Sequence, residues 1–374
     1  MVFSSLRTTS FRNLADAEIF TEAKDIFFIG ENGQGKTNFL EALYFCAYAS
    51  SFRTVRDNEL VKNGEKEFSA EVKLFYDKQS SPSFNEGILV KFEKNKKLIF
   101  INGKRTEDRK EMLSIAPTIV FCHEDMEFVN GTPERRRWFF DQTLSLHDPV
   151  YLDDFRRYRH ILKSRNSLLK DVSLGKYSGS PENVLDALDP QFALYGLKLM
   201  EKRETAVQEF SRLFGTLYEE VSGISGISVQ YTQSWKHQTE SEILSSLRQR
   251  RSADMAAGLS LSGPHRDRYV FTHSSSLQND NNFTLKASTG QRRLLALLLR
   301  AAQAGHFSEK TGQNPILLLD DVLLEMDGEK RRRFLSVLPS YDQAFYTFLP
   351  DEPYQRYQKE DTLVYTVKAG ELKL

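Results

Sequence analysis

The sequence predicts an α/β fold: a mixed sheet with flanking helices and an antiparallel β appendage, plus an inserted helical arm or second lobe. Three observations carry that prediction. Asp25-Ile26-Phe27-Phe28-Ile29 is a short apolar run that reads as a buried strand, and it leads through Gly30-Glu31-Asn32-Gly33-Gln34-Gly35-Lys36-Thr37 into apolar residues at helical spacing over 39–45. That is the strand, glycine-rich loop and helix order of the pattern G-x-x-x-x-G-K-[ST]. Pro315-Ile316-Leu317-Leu318-Leu319-Asp320-Asp321 is a second buried strand, closing on paired carboxylates. Between the two lies a long, cation-rich stretch of helical periodicity, which reads as an arm inserted between two halves of one core.

In such a loop the glycines let backbone N–H groups curl around phosphates, and the first turn of the following helix adds unpaired N–H groups. Gly30, Glu31, Asn32, Gly33, Gln34 and Gly35 form the expected cradle. Lys36 would place an ammonium against the β- and γ-phosphates and Thr37 a hydroxyl on Mg²⁺. The pattern predicts a nucleoside triphosphate site and, alone, leaves a kinase, a GTPase and a transporter-type ATPase open.

The 374 residues suffice for two lobes, expected at 1–126 with 295–374 and at 127–294. Lys+Arg and Asp+Glu both number 51, so any polyanion must be held by local basic faces rather than by bulk charge. No apolar run approaches the ~20 residues of a membrane span, and residues 1–7 lack the basic and apolar regions of a secretory signal. A cytoplasmic protein is expected. Cys46 and Cys122 alone support neither a disulfide framework nor a thiolate cluster, and the 7 histidines have no ligand-like spacing.

In chain order, residues 4–20 read as a sheet edge leading to the loop, with Arg12 either a solvated strand residue or a cation near the phosphates. Residues 67–74, 87–92 and 97–101 read as antiparallel strands, with a polar loop at 78–85 and a hairpin turn at Asn102-Gly103. Thr118-Ile119-Val120-Phe121 is a further buried strand, and residues 134–146 are helical, with Arg135-Arg136-Arg137 beside Trp138-Phe139-Phe140. Helical spacing continues over 151–170 with Arg156, Arg157, Arg159, Lys163 and Arg165, too many cations for Asp153, Asp154 and Asp171 to balance. This is either a solvated face or one that contacts phosphates.

A Gly/Ser-rich break over 175–181 precedes helical spacing over 184–221, a strand at 227–233 and a helix at 240–251. Residues 261–267 form an irregular turn before strands at 269–272 and, past a polar tip at 278–282, at 283–285. Ser288-Thr289-Gly290-Gln291 opens an apolar helix, whose serine and glycine make a second anion-binding end. Asp320 is placed to hold the Mg²⁺ water shell opposite Thr37, and Asp321 to orient or deprotonate an attacking water. Residues 343–348 form a last core strand, ending where a γ-phosphate sensor would sit.

In this order, the phosphate loop, the inserted helices, Ser288-Thr289-Gly290-Gln291, Leu318-Leu319-Asp320-Asp321 and Leu324-Glu325-Met326-Asp327 resemble the SMC-like ABC-type ATPases of DNA repair. Phe11-Arg12-Asn13, Ser51-Phe52-Arg53-Thr54, the arginine run within 131–141, Arg165-Asn166-Ser167-Leu168-Leu169-Lys170 and Gly263-Pro264-His265-Arg266-Asp267 extend the resemblance over nearly the whole chain. It implies an ABC-type head without a long coiled coil, using ATP and Mg²⁺. It also implies a recombination mediator that acts on DNA in gap repair, replication restart and the SOS response, beside RecO- and RecR-like proteins. Residues 30–38, now including Asn38, correspond to the phosphate loop; Ser288, Gly290 and Gln291 to the signature; Asp320 to the magnesium carboxylate; Asp321 to the carboxylate beside water; residues 325–327 to the D-loop.

In such heads the signature of one subunit reaches the γ-phosphate held by another. The resemblance therefore implies an ATP-dependent homodimer whose basic helices clamp duplex DNA or a single-strand/double-strand junction and release it on hydrolysis. Three departures stand out. Asp321 stands where the family has Glu, which implies slow hydrolysis with ATP as a switch; Thr347 stands where His is common; His123 stands where proline is common. An ATPase subunit energising a membrane partner is the competing reading, opposed by the long basic insertion between Thr37 and Ser288. A kinase would lack the Ser-Gly-Gln signature, and a GTPase would need an Asn-Lys-x-Asp reader that this sequence lacks. A DNA-binding protein with a decayed nucleotide site is opposed by intact Lys36, Thr37, Asp320 and Asp321.

Overall fold

In the computed structural model, alternating apolar residues build an antiparallel sheet and continuous apolar runs build a parallel one. β1 (Val2–Thr9) and β2 (Ala17–Phe20) pair at the edge of the first, whereas β3 (Asp25–Ile29), buried at every residue, belongs to the second. The expected sheet edge and the strand before the loop therefore lie in different sheets. α1 (Lys36–Tyr48) follows the loop. β4 (Phe68–Phe75), β5 (Glu86–Glu93), β6 (Lys96–Ile101) and β7 (Lys104–Thr106) complete the antiparallel sheet in the order β2-β1-β4-β5-β6-β7. Asn102 and Gly103, at φ 52° and 75°, make the tight turn that this pair favours; Lys94 and Asn95, at φ 50° and 60°, make one without its usual glycine.

After α2 (Lys110–Ile115) and β8 (Thr118–Phe121) the chain becomes mostly helical: α3 (Met126–Asn130), α4 (Pro133–His147), α5 (Pro149–Ser173) and α6 (Pro181–Ser222). β9 (Ile227–Thr232), α7 (Glu240–Ala257), β10 (Arg268–His273), α8 (Phe283–Lys286) and α9 (Thr289–Thr311) follow, with β9 and β10 paired antiparallel. Residues 283–285, expected as a strand, are helical instead, because the Asn282 side chain accepts the Thr284 N–H and caps the turn. β11 (Ile316–Leu319), α10 (Gly328–Ser336), β12 (Gln343–Phe348), β13 (Leu363–Lys368) and β14 (Glu371–Lys373) end the chain. The second sheet runs β14-β13-β3-β12-β11-β8, parallel throughout except at β14.

The structure describes residues 1–75, 86–236, 239–274, 282–323 and 326–374; the expected loop at 78–85, most of the tip at 278–282, Leu324, and Glu325 of the expected D-loop lie outside them. The described chain divides into two units, Met1–Asp125 with Leu297–Leu374, and Met126–Ala296. In the first, α1 carries Phe39, Leu40, Leu43 and Phe45 into a core shared with both sheets, where Phe28 stacks on Phe39 and Phe345. No described helix is long and apolar enough to cross a membrane.

In the second unit, buried ion clusters tie the helices together. Arg165, on α5, donates Nε to Asp189 Oδ1 of α6 at 2.9 Å and Nη1 to Asp254 Oδ2 of α7 at 2.8 Å. Arg203, on α6, holds Asp141 of α4 in a fork at 2.9 and 3.0 Å and reaches Asp267 Oδ2 at 2.9 Å. The expectation that Arg165 contacts phosphates is thereby corrected. Its side chain is 0 % exposed, because its face of α5 turns inward onto two carboxylates.

Arg165→Met would leave Asp254 buried without a cationic partner, while Asp189 keeps Arg251 at 2.8 Å, which costs about 3–5 kcal/mol. Urea denaturation should show that loss, with Lys163→Ala on the exposed face of the same helix within about 0.5 kcal/mol of the parent.

Candidate nucleotide-binding site

β3 is paired on both sides, by β12 and β13, so the loop at its carboxyl end leaves a fully bonded strand. This is where open α/β sheets receive ligands. Gly33 and Gly35 take φ 78° and 114°, which glycine alone adopts without strain. Gly30 is needed for space instead: a Cβ there would lie 2.5 Å from the Val367 carbonyl oxygen. Lys36 is buried and donates Nζ to the Gly30 carbonyl at 2.7 Å and the Glu31 carbonyl at 3.3 Å, so its ammonium is held inside the loop. Glu31 and Asn32 are exposed.

Neighbouring residues brace the loop. The Gln34 carbonyl accepts the Gly370 N–H at 2.8 Å and its side-chain oxygen accepts the Ala369 N–H at 2.6 Å. Asn13 donates to the Gly33 carbonyl at 3.3 Å and accepts from Asn38 at 2.7 Å. Gln34 and Asn38 thus shape the loop as well as bordering it. Arg12 forks onto Glu41 with two bonds of 2.9 Å and donates to the Glu59 carbonyl at 2.7 Å. The guanidinium is thus held on a carboxylate that is itself 0 % exposed. Arg53 completes this cluster, 3.6 Å from Glu41 and donating to Asn38 at 3.0 Å. Asn13, Glu41, Arg53 and Gly370 carry supporting roles that no sequence pattern assigned.

Across β12 from β3, β11 delivers Asp320. Thr37 Oγ1 donates to Asp320 Oδ1 at 2.8 Å across 283 residues of sequence. Thr347, on the intervening strand β12, accepts the Asp321 N–H at 2.7 Å and lies 3.0 Å from Asp321 Oδ1 and 3.2 Å from Asp320 Oδ1. Asp321 takes φ 51°, and its hydrogen bonds to Thr347 hold it there. Burial, with Asp321 alongside, pushes the Asp320 carboxyl up to about 7 against the Thr37 and Thr347 hydrogen bonds. A hydroxyl and a crowded pair of carboxylates are hard oxygen donors whose charge a cation relieves, so the residues fit Mg²⁺, which binds through few protein ligands and keeps its waters. His123 is exposed at the end of β8, whereas Asp125, two residues on, is buried and paired with Arg300 at 2.8 Å.

The residues expected as the signature belong to the second unit. Gln291 Oε1 accepts the Ser288 N–H at 2.7 Å while Ser288 Oγ accepts the Gln291 N–H at 3.3 Å, a reciprocal capping box at the start of α9. Gln291 is therefore engaged in shaping the helix end. Ser288, Thr289 and Gly290 are exposed, and a Cβ on Gly290 would meet nothing within 4 Å. On α5, Arg156, Arg159 and Lys163 are exposed at the spacing of one helix stripe; Arg157, also exposed, donates to the Tyr195 hydroxyl at 3.1 Å.

Residues 2–369 match the family described as the RecF/RecN/SMC N terminal domain. The DNA replication and repair protein RecF of Treponema pallidum (strain Nichols) is 43% identical over 361 residues, 96% of this chain and 98% of that protein. Its namesake in Halalkalibacterium halodurans is 33% identical over 382 residues, 100% of this chain and 99% of that one. A solved structure of the recombination mediator protein RecF-ATP in the RecFOR pathway is similar with a TM-score of 0.85 and 26% identity, covering 99% and 96% of the two chains. The Smc head bound to the C-winged helix domain of ScpA shares the fold, with a TM-score of 0.55 at 15% identity over 99% and 96%.

Gly370→Val tests the bracing. Gly370 has φ +80°, and a Cβ there would lie 2.1 Å from the Asn13 carbonyl oxygen. The variant should lose about 1–3 kcal/mol of stability in thermal melts and bind a fluorescent ATP analogue more weakly than the parent.

Proposed function

The chain belongs to the RecF family of SMC-type ABC ATPases, and on that premise we propose that it is an ATP-dependent DNA-binding recombination mediator of gap repair, replication restart and the SOS response. The observation that carries the reading is the 2.8 Å hydrogen bond between Thr37 and Asp320, which joins the phosphate loop to the carboxylate that accompanies it in ATPases. The relatives' names, DNA replication and repair proteins, favour this over an ATPase coupled to a membrane partner.

The loop's N–H groups and Lys36 bind the β- and γ-phosphates of ATP. Thr37 and Asp320 would hold Mg²⁺, which would supply neutralisation of the phosphate charge. Asp321 orients the attacking water. It is a methylene shorter than glutamate and is held by Thr347, so hydrolysis is slow and ATP serves mainly as a switch. Ser288 and Gly290, exposed at the capped start of α9, complete the site on a second copy of the chain. ATP binding and dimerisation are then two sides of one coupling free energy. The dimer clamps duplex DNA or a single-strand/double-strand junction through Arg156, Arg157, Arg159 and Lys163, in the cytoplasm and beside RecO- and RecR-like proteins.

Sedimentation with Mg²⁺ and a nonhydrolysable ATP analogue should give a dimer at micromolar protein, and a monomer there would overturn the reading. Lys36→Met should lower nucleotide affinity by about tenfold or more and abolish association. Ser288→Arg should block association while the monomer still binds ATP. DNA affinity should fall steeply with salt, and Arg156→Ala with Lys163→Ala should reduce the log–log slope by about 1.8. Absence of DNA binding in every nucleotide state would remove the reading's physical basis.

A further inference from the structure

Within the second unit, α4, α5 and the turn around Pro264–Arg266 border an open cavity of about 680 Å³. Arg135, Arg137, Arg159 and Arg266 line it, together with Trp138 and Phe155. Their charge is not balanced locally. Of the two lining carboxylates, Asp141 is taken by Arg203 at 2.8 Å. Arg135 pairs with Glu127 at 2.6 Å. Arg137, Arg159 and Arg266 are left facing Glu134.

None of those three has a carboxylate partner at ion-pair distance among the described residues. Arg137 gives Nη1 to the Asp267 carbonyl at 2.8 Å; Arg159 stands over the Phe155 ring at 5.6 Å; Arg266 reaches only the Ser260 carbonyl at 3.4 Å. Burial, and after it the neighbouring Arg203, hold Arg137 below the usual guanidinium range against the opposing pull of Glu134, Asp141 and Asp267. Trp138, 43 % exposed, backs onto Phe128 with ring centroids 5.8 Å apart and offers a flat face.

We propose that this cavity is a second nucleotide site, separate from the phosphate loop, that takes a single nucleotide carrying a terminal phosphate. Guanidiniums are the side chains best matched to a phosphate dianion, through paired N–H donors. An indole face receives a base by stacking. The volume lies in the range of small-molecule pockets, larger than a bare phosphate needs and too small for a duplex. The nucleotide comes either free, as a nucleoside monophosphate, or as the phosphorylated end of a DNA strand.

The chain has 2 tryptophans, and Trp235 is 2 % exposed, so Trp138 is an intrinsic reporter of this cavity. The full-length protein, with its phosphate loop saturated by a nonhydrolysable ATP analogue, is titrated with deoxyadenosine monophosphate, inorganic phosphate, an acidic peptide, and a short oligonucleotide with and without a 5′-phosphate. Quenching of Trp138 by the monophosphate, or by the phosphorylated oligonucleotide alone, supports the site and distinguishes the two sources. Removing the terminal phosphate should weaken binding by about tenfold, and Arg159→Ala or Arg266→Gln should do the same. Trp138→Phe should abolish the signal. Three results would overturn the proposal: no quenching by any phosphorylated nucleotide, oligonucleotide binding indifferent to the terminal phosphate, or quenching by inorganic phosphate or the acidic peptide in place of the nucleotide.

Discussion

The Thr37 hydroxyl and the Asp320 carboxylate meet at 2.8 Å, and the order of strands in the parallel sheet is what lets them meet. β3 and β11 each pair with β12, so the phosphate loop and the acidic strand end open on one edge, with Thr347 between them. Parallel neighbours cannot be joined by tight turns; each needs a crossover. The crossover from β8 to its neighbour β11 is where the chain accommodates the whole second unit. The inserted arm thus occupies a crossover that the sheet topology requires, and it carries Ser288 and Gly290.

A loop that presents backbone N–H groups to phosphates works only if its own shape is fixed beforehand. Here the fixing comes from outside the loop. Glu41 holds Arg12 and stands near Arg53, Arg53 bonds Asn38, Asn38 bonds Asn13, and Asn13 reaches the Gly33 carbonyl. From the other side, the β13–β14 turn clasps Gln34. A fully buried carboxylate is tolerable because it is paired and hydrogen-bonded, and its pairing makes Arg12 a support for the site. Asp320 is the complementary case, an acid crowded by burial and by Asp321 whose charge a cation would relieve.

Local patterns were legible in the sequence because they depend on a few adjacent residues. The glycine-rich loop, the strands ending at Ile29 and Leu319, and the Asn102-Gly103 turn all stand where periodicity and turn chemistry put them. What depends on distant partners was not legible. Arg165 and Lys163 are two residues apart with the same charge, yet one is sealed between Asp189 and Asp254 and the other is exposed. Which helix face turns inward is decided by packing. Glu41 left a faint signal, an acid in an apolar helix, whereas Gly370 left none, since its clash partner at Asn13 is far away in the chain. Gln291 was expected in the signature from the resemblance alone, and its reciprocal bond with Ser288 is ordinary capping chemistry.

In the proposed function, one molecule's Lys36 and Thr37 are completed by another's Ser288 and Gly290. Mixing the Lys36→Met and Ser288→Arg proteins isolates that arrangement, because a mixed pair contains one intact loop facing one intact signature. With Mg²⁺ and a nonhydrolysable ATP analogue, each variant alone should sediment as a monomer and the mixture should regain a nucleotide-dependent dimer. A mixture that stays monomeric under conditions where the parent protein dimerises would contradict the account.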